Sequence, residues 1–110
     1  MNGWSLRFYM HERQKHRGTL LYEWLLERAR EHGIHGGSAF RAIAGFGRHG
    51  IIQEQHFFEL AGQQTGLVEF IVSDREADEL LRVVRADGAH LFHARFAIEF
   101  GVVGEADDAT

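Results

Sequence analysis

The 110-residue sequence contains no cysteine and no proline. The lack of cysteine excludes disulfide bonds and thiolate-ligated metals, and it suits the reducing conditions of a cytoplasm. No apolar run approaches the roughly 18 residues that a membrane-spanning helix requires, and the first residues lack the apolar stretch of a signal peptide. We therefore expect a cytoplasmic protein without membrane insertion.

Excess positive charge is absent as well, because 12 lysine and arginine residues stand against 16 aspartate and glutamate residues, a formal net charge of −4. Nucleic-acid-binding domains normally present a basic surface, so this balance argues against a nucleic-acid partner. The length fits one domain, and 45% hydrophobic with 25% charged residues is typical of globular proteins. We expect one domain over residues 1–103 and a frayed acidic tail over residues 104–110.

Hydrophobic residues follow two periods along the chain. Alternation with period two predicts half-buried strands, and apolar residues at positions i, i+3, i+4 and i+7 predict amphipathic helices. The predicted strands cover residues 4–11, 38–46, 67–72 and 91–100. The predicted helices cover residues 19–32 and a segment from residue 74 to about residue 87.

Local signals mark the ends of both helices. Ser73 and Glu76 have the spacing of a capping box at the start of the second helix. Thr19 can cap the first helix, and Gly33 is placed to end it. The charged segment 12–18, which precedes the first helix, predicts a solvated loop.

The element order β-α-β-β-α-β predicts an α+β fold, the ferredoxin-like sandwich, in which two helices cover one face of a four-stranded antiparallel sheet. Hydrophobic alternation assigns Phe40, Phe92 and Phe96 to the helix-covered face. It leaves a second face that mixes apolar residues such as Ile71 with charged residues such as Arg41. A small monomer seldom leaves such an apolar patch in water, so we expect an oligomer.

A glycine-punctuated segment, residues 45–66, separates the two middle strands and includes the sequence GFGRHG. Its G-x-G-x-x-G spacing resembles a dinucleotide fingerprint, but no capped helix follows it. A likeness to RNA-recognition motifs lacks the basic charge that such motifs carry. Two interpretations remain open: backbone amides between Gly45 and Gly47 that hold an anion together with Arg48, or a bulge where the strand leaves the sheet.

Eight histidines raise the question of a metal site. His32 and His35, and likewise His90 and His93, are three residues apart, a spacing that on a strand places side chains on opposite faces. Solvated or hydrogen-bonded histidines are the default interpretation, and a trimer that binds metal through histidines of several subunits is an alternative. No serine has the glycine context of a nucleophile elbow, and we expect no enzyme.

Three segments in combination resemble known protein families. They are HGIHGGS at residues 32–38, GFGRHG at residues 45–50 and HFFEL at residues 56–60. The first two resemble the turn after helix one and the base of the T-loop in the nitrogen-regulatory PII signalling proteins. All three together, over about residues 5–100, resemble the PII-like bacterial family called domain of unknown function 190.

The resemblance implies a regulatory protein without catalytic activity. The chain would have a ferredoxin-like fold. Three copies would form a homotrimer whose sheets face inward and whose ligand clefts lie between neighbouring subunits. By position, Gly45, Phe46, Gly47 and Arg48 match the T-loop base that touches a nucleotide in PII proteins. His49 follows them, near the position where PII proteins have a glutamine.

The resemblance further implies that the long loop, about residues 47–66, signals to a protein partner such as a transporter or an enzyme. Residues 49–66 correspond to the T-loop of PII proteins. Within it, we expect the large apolar side chains of Phe57, Phe58 and Leu60 to contact the partner.

Two phosphate-binding features of PII proteins are missing from this chain. The segment 85–90 lacks the B-loop lysine, and the last strand ends without the two arginines of those proteins. Each charge-assisted contact is worth about 1.5–3 kcal/mol, so the loss of three predicts weak binding of a triphosphate. No cofactor is assigned, and the candidate effectors are an adenine nucleotide or another small anion.

One further alternative belongs to a different class of protein. Ferredoxin-like dimers include small cofactor-free oxygenases, which would require a roomy interior cavity with a titratable histidine. Because the alternation places many phenylalanines on the helix-covered face, we expect a filled interior instead.

Overall fold

The computed structural model describes residues 1–45 and 65–104. Its elements follow the predicted order, with an additional two-strand hairpin after the first strand. The strands are β1 (Asn2–His11), β2 (Lys15–His16), β3 (Thr19–Leu20), β4 (Gly37–Arg41), β5 (Thr65–Val72) and β6 (Phe92–Glu99), and the helices are α1 (Leu21–Glu31) and α2 (Asp74–Ala86).

Four strands form one antiparallel sheet in the order β4-β5-β1-β6. Strand β1 is central: Trp4 pairs with Val72 of β5 on one side, and β6 runs along its other side. Both helices pack on the same face, since the buried core joins Leu6 of β1 to Leu25 of α1 and Leu80 of α2. This arrangement confirms the predicted α+β, ferredoxin-like sandwich.

The core is filled by aliphatic and phenyl side chains. Phe8 and Phe70 are each 1% exposed, and their rings meet edge to face with centroids 6.2 Å apart. Burying a side chain of this size contributes about 1.5–3 kcal/mol relative to leaving it in water. These contacts fix β1 and β5 beneath the helices.

Helix α2 begins as the sequence predicts. Ser73 Oγ accepts a hydrogen bond of 3.2 Å from the amide of Glu76, and the Glu76 carboxylate accepts one of 2.8 Å from the amide of Ser73. This capping box satisfies two backbone donors that the first turn leaves without partners. At the other end, Gly88 has a φ of +77°, a conformation that favours glycine.

Helix α1 begins two residues later than predicted. Its first residue is Leu21, and the N-cap is Leu20, with no side-chain cap hydrogen bond among the described residues. Thr19 does not cap the helix because it belongs to β3, where it pairs with His16 of β2. The C-terminal prediction is confirmed, since the chain leaves the helix through Gly33 at a φ of +82°.

The segment predicted as a solvated loop instead folds into the β2–β3 hairpin and packs on the domain. Arg17 and Gly18 form its turn with φ values of +52° and +85°. The centre of the His16 ring lies 4.5 Å from the ring centre of Trp24, with the two ring planes tilted by 58°, and His16 Nε2 lies 2.7 Å from Asp87 Oδ2. The hairpin is therefore tied to α1 and to the end of α2, partners that local charge patterning does not reveal.

The face assignments predicted for the two edge strands, β4 and β6, are wrong. Phe92 pairs with Tyr9, Phe96 pairs with Ser5, and Phe40 pairs with Leu67, so these phenylalanines lie on the face away from the helices. They are 47–52% exposed. Alternation in the sequence shows that successive side chains of a strand point to opposite faces of the sheet, but it does not show which set faces the helices. The prediction placed the more apolar set against the helices, and in β4 and β6 that set faces away from them.

We call this surface the open sheet face. Its members come from all four strands and share the side of the sheet opposite to the helices. They are Ser5, Arg7 and Tyr9 of β1, Ser38 and Phe40 of β4, Leu67, Glu69 and Ile71 of β5, and Phe92, Ala94, Phe96 and Ile98 of β6.

Candidate functional site

The two ends of the glycine-punctuated segment meet beside the edge of the sheet. The amide of Ala42 donates a 2.8 Å hydrogen bond to the carbonyl of Thr65. A Cβ added at Gly45 would lie 3.0 Å from Thr65 Oγ1, so glycine allows the chain to run close to the start of β5. These contacts place Gly45 against Thr65 at the base of the predicted T-loop.

Of the predicted ligand-binding residues, Gly45 belongs to the part of the chain that the structure describes. The remaining members of that set, Phe46, Gly47, Arg48 and His49, lie outside the described residues. The predicted partner-binding residues Phe57, Phe58 and Leu60 also lie outside them. Of the predicted acidic tail over residues 104–110, residues 105–110 likewise lie outside the described residues.

A cavity of about 310 Å³ adjoins this loop base. Met10 and Val68 supply apolar side chains from the central strands, Tyr22 approaches from the start of α1, and Arg41 and Thr65 come from the strand ends that flank the loop. We call it the Arg41 cavity. It lies on the helix-covered side of the sheet.

Gly66 lines this cavity at a point where two strands approach each other closely. Met10, Gly66 and Arg41 form one row across β1, β5 and β4. A Cβ at Gly66 would lie 2.4 Å from the carbonyl oxygen of Phe40, so this glycine lets β4 approach β5 closely. Sequence reasoning treated Gly66 as the end of the loop, although a glycine directly before an alternating segment can also mark a close backbone approach.

Opposite charges stand at the rim of the Arg41 cavity. The guanidinium of Arg41 pairs with the carboxylate of Glu12, and the two side chains are 65% and 25% exposed. An exposed pair of this kind is worth about 0–1 kcal/mol, so solvent or a ligand can replace either partner at little cost. The predicted placement of Arg41 on the open sheet face is wrong, because its pairing with Gly66 turns it to the helix-covered side.

The position of Glu12 is set by a turn at the end of β1. The amide of Gln14 donates to the carbonyl of His11 at 3.1 Å, and the Gln14 side-chain oxygen accepts from the amide of His11 at 3.2 Å. The carbonyl of Gln14 then accepts from the amide of Leu21 at 2.7 Å, which ties the turn to the start of α1. Glu12 therefore projects from a fixed backbone, within reach of Arg41.

At the middle of the open sheet face, polar side chains bond to one another and are surrounded by apolar side chains. Glu69 accepts hydrogen bonds from Ser5 Oγ at 2.8 Å and from Arg7 Nε at 3.0 Å, and the Arg7 guanidinium lies 5.1 Å from the ring centre of Phe96. The hydrogen bond with Glu69 raises the pKa of Arg7 above its ordinary value. Ile71 nearby is 43% exposed. The charges are thus paired within one chain, while the large apolar side chains still face solvent.

Two of the histidines found in the sequence pair with carboxylates. His16 contacts Asp87, and His32 Nδ1 lies 3.3 Å from Glu79 Oε2 of α2. Within residues 1–45 and 65–104, no three histidine, aspartate or glutamate side chains converge as a metal site would require. Over the same residues, no helix has both the length and the apolar character to cross a membrane.

The chain matches the family model DUF190 (Uncharacterized ACR, COG1993) over residues 3–90. This chain belongs to the DUF190 family. The DUF190 protein is also 34% identical over 80 residues to a UPF0166 protein of Aquifex aeolicus strain VF5, a match that covers 73% of this chain and 76% of that protein. The resemblance inferred from the sequence is confirmed.

Two solved structures of PII-like proteins share this fold. A PII-like signalling protein of Thermus thermophilus superimposes with a TM-score of 0.53 at 17% identity, over 88% of each chain. CPII, a nitrogen regulatory PII-like protein of Thiomonas intermedia K12, superimposes with a TM-score of 0.52 at 15% identity, over 93% of this chain and 98% of its own. The CPII structure contains ADP, AMP and bicarbonate. These similarities identify the fold of the DUF190 protein as PII-like.

Proposed function

We propose that this DUF190 protein is a non-catalytic PII-like regulatory protein. It binds a small anionic effector in clefts between the subunits of a homotrimer and signals to a protein partner through its T-loop. The observation that carries the proposal is the contact of Gly45 with Thr65, because it joins the two ends of the loop at one point of the PII-like fold. An effector at this point contacts both ends and favours one loop state by its differential affinity.

The homotrimer is supported by the open sheet face. Phe40, Ile71, Phe92 and Phe96 leave large apolar side chains 43–52% exposed on a single surface. Contiguous patches of this kind mark interaction sites, and a second and third copy of the chain can cover the patch symmetrically. The central Arg7–Glu69 pair needs no partner from another subunit, so burying the face leaves no charge unpaired.

The effector is proposed to be an adenine nucleotide or another small anion. CPII, which shares the fold, binds ADP, AMP and bicarbonate. Backbone amides in the glycine-containing segment 45–47 and the guanidinium of Arg48 provide the chemistry for such a group. Because the B-loop lysine and the arginines of the last strand are missing, we expect a nucleotide with fewer phosphates, or bicarbonate, to bind better than ATP.

The partner is proposed to be a protein, such as a transporter or an enzyme, that contacts Phe57, Phe58 and Leu60 of the T-loop. Large apolar side chains at the centre of an interface commonly carry most of its binding energy. Exchanging Phe57 and Phe58 for serine should therefore abolish capture of the partner while leaving effector binding unchanged.

Calorimetric titration tests the effector site. The purified protein is titrated separately with ADP, AMP, ATP, bicarbonate and phosphate. We expect at least one of these anions to bind, and Arg48→Ala to weaken its affinity at least tenfold while the circular dichroism spectrum is unchanged. Arg82→Ala, on the exposed side of α2, is the matched control for the loss of one guanidinium. Absence of binding by all five anions, or equal affinity of the Arg48 variant, would contradict the proposal.

A further inference from the structure

We propose that the Arg41 cavity is a second binding site, specific for a small zwitterion, namely an α-amino acid with an aliphatic side chain. This site lies within a single chain on the helix-covered side of the sheet. It therefore does not depend on the trimer, although its lining residue Thr65 also contacts Gly45 at the loop base where the effector is proposed to bind.

The size and floor of the cavity fit a small apolar group. Its volume of about 310 Å³ is at the lower end of the range for small-molecule sites, which suits a small metabolite such as an amino acid. Met10 is 7% exposed and Val68 is fully buried, so the floor they form is rigid and apolar. An aliphatic side chain gains free energy by leaving water for such a floor.

The charges at the rim determine the class of ligand. Arg41 presents a planar set of donors that matches a carboxylate, and Glu12 presents a carboxylate that accepts from an ammonium group. A ligand with a single charge would pair with either the Arg41 guanidinium or the Glu12 carboxylate, and the other of these two groups would lose its partner. A zwitterion offers a partner to both, so the Arg41–Glu12 pair can open without leaving either charge unpaired.

The groups around these charges are already held in place before a ligand binds. Glu12 follows the turn formed by His11 and Gln14, and Arg41 ends β4 at its pairing with Gly66. Tyr22 and Thr65 add hydroxyl groups to the lining, and each can donate to a ligand carboxylate. A preformed set of donors and acceptors reduces the ordering that binding requires.

The test is a two-dimensional ¹H–¹⁵N NMR titration with three compounds that share a 3-methylbutyl group. L-leucine carries both charges, 4-methylpentanoate lacks the ammonium group, and 3-methylbutan-1-amine lacks the carboxylate. We expect leucine to shift the amide signals of residues 39–41 and 65–68 and to bind at least tenfold more tightly than either single-charge analogue. Equal binding of leucine and 4-methylpentanoate, or shifts confined to other residues, would overturn the proposal.

Variants connect the binding to the two charges. Arg41→Gln and Glu12→Gln should each weaken leucine binding at least tenfold, and Ala39→Met should block it by filling the cavity from an exposed strand position. Arg82→Gln breaks a comparable surface ion pair with Glu79 outside the cavity and should leave leucine affinity unchanged. The amide spectrum of each variant reports whether it is folded. Unchanged affinity in both rim variants, or no leucine binding by the unmodified protein, would contradict the assignment.

Discussion

The guanidinium carbon of Arg95 lies 4.3 Å from the ring centre of Trp4, on the helix-covered side of the sheet. The same guanidinium lies 3.4 Å from Asp74 and 3.3 Å from Asp78 of α2, and Trp4 Nε1 donates a 2.7 Å hydrogen bond to Asp74. Arg95 thus connects the edge strand β6 to the helix layer. Because side chains alternate along a strand, this placement turns Phe96 to the open sheet face.

Phe96→Asp is predicted to dissociate the proposed trimer without unfolding the chain. The side chain is 47% exposed in the isolated chain, so aspartate is tolerated there, but burying three new carboxylates at a subunit interface is unfavourable. Light scattering coupled to size-exclusion chromatography should change from three times the chain mass of 12.6 kDa to the mass of one chain.

Arg75→Asp, which places the same side chain on an exposed position of α2, is the control and should remain trimeric. A Phe96→Asp protein that still elutes as a trimer would show that the open sheet face is not the interface.

Gly66→Ala is predicted to destabilise the edge of the sheet. A Cβ at this position would meet the backbone oxygen of Phe40 at 2.4 Å, and backbone cannot move aside as a flexible side chain can. We expect the free energy of unfolding to fall by about 1–3 kcal/mol, as for other overpacked sites, with faster amide exchange in β4. Gly36→Ala meets nothing within 4 Å and should change the unfolding free energy little; equal losses in both variants would contradict the explanation.

Ser73→Ala is predicted to lower the free energy of unfolding by about 1 kcal/mol, since it removes the side chain that caps α2. The capping hydrogen bond from the Glu76 amide would lose its acceptor. Urea denaturation followed by circular dichroism measures the change, and Arg75→Ala at an exposed position of the same helix is the control. A loss in the control as large as in the Ser73 variant would rule out capping as the cause.

The contact between His16 and Asp87 predicts a dependence of stability on pH. The hydrogen bond from His16 lowers the pKa of Asp87 below the ordinary value of 3.8. A carboxyl group with a lowered pKa in the folded state stabilises the fold above its unfolded pKa, and this stabilisation is lost as the pH falls through the folded pKa. The stability difference between the unmodified protein and Asp87→Asn should therefore be present at pH 6 and decrease below about pH 4.

Urea denaturation of both proteins between pH 3 and pH 6 measures this difference. The expected curves converge toward the acid end, where the unmodified Asp87 is protonated and resembles asparagine in charge. A difference that stays constant over this range would show that the carboxylate charge does not stabilise the attachment of the hairpin.

Local features of the fold could be predicted from the sequence, because their determinants are close together in the chain. The Ser73–Glu76 capping box and the glycine end of α1 at Gly33 depend on residues within one helical turn. The segments that carry the PII-like resemblance are also contiguous, so the amino-acid sequence alone is enough to infer the family.

Features that depend on distant partners could not be predicted in this way. The phase of β6 is set by contacts of Arg95 with residues 17 and 21 positions earlier, and the hairpin is held by an Asp87 that lies 71 residues from His16. The Arg41–Glu12 pair joins residues 29 positions apart, and the sequence alone suggested that Arg41 lies on the opposite face. In each case the determining interaction exists only once the sheet has assembled.

Native mass spectrometry of the purified protein, before and after incubation with ADP, tests the central claim most directly, since it reports assembly and effector binding in one spectrum. The account predicts an assembly of three 12.6 kDa chains that carries a small anionic ligand, with ADP added in up to three copies and lost in the Arg48→Ala variant. Single chains without any bound ligand under both conditions would contradict it.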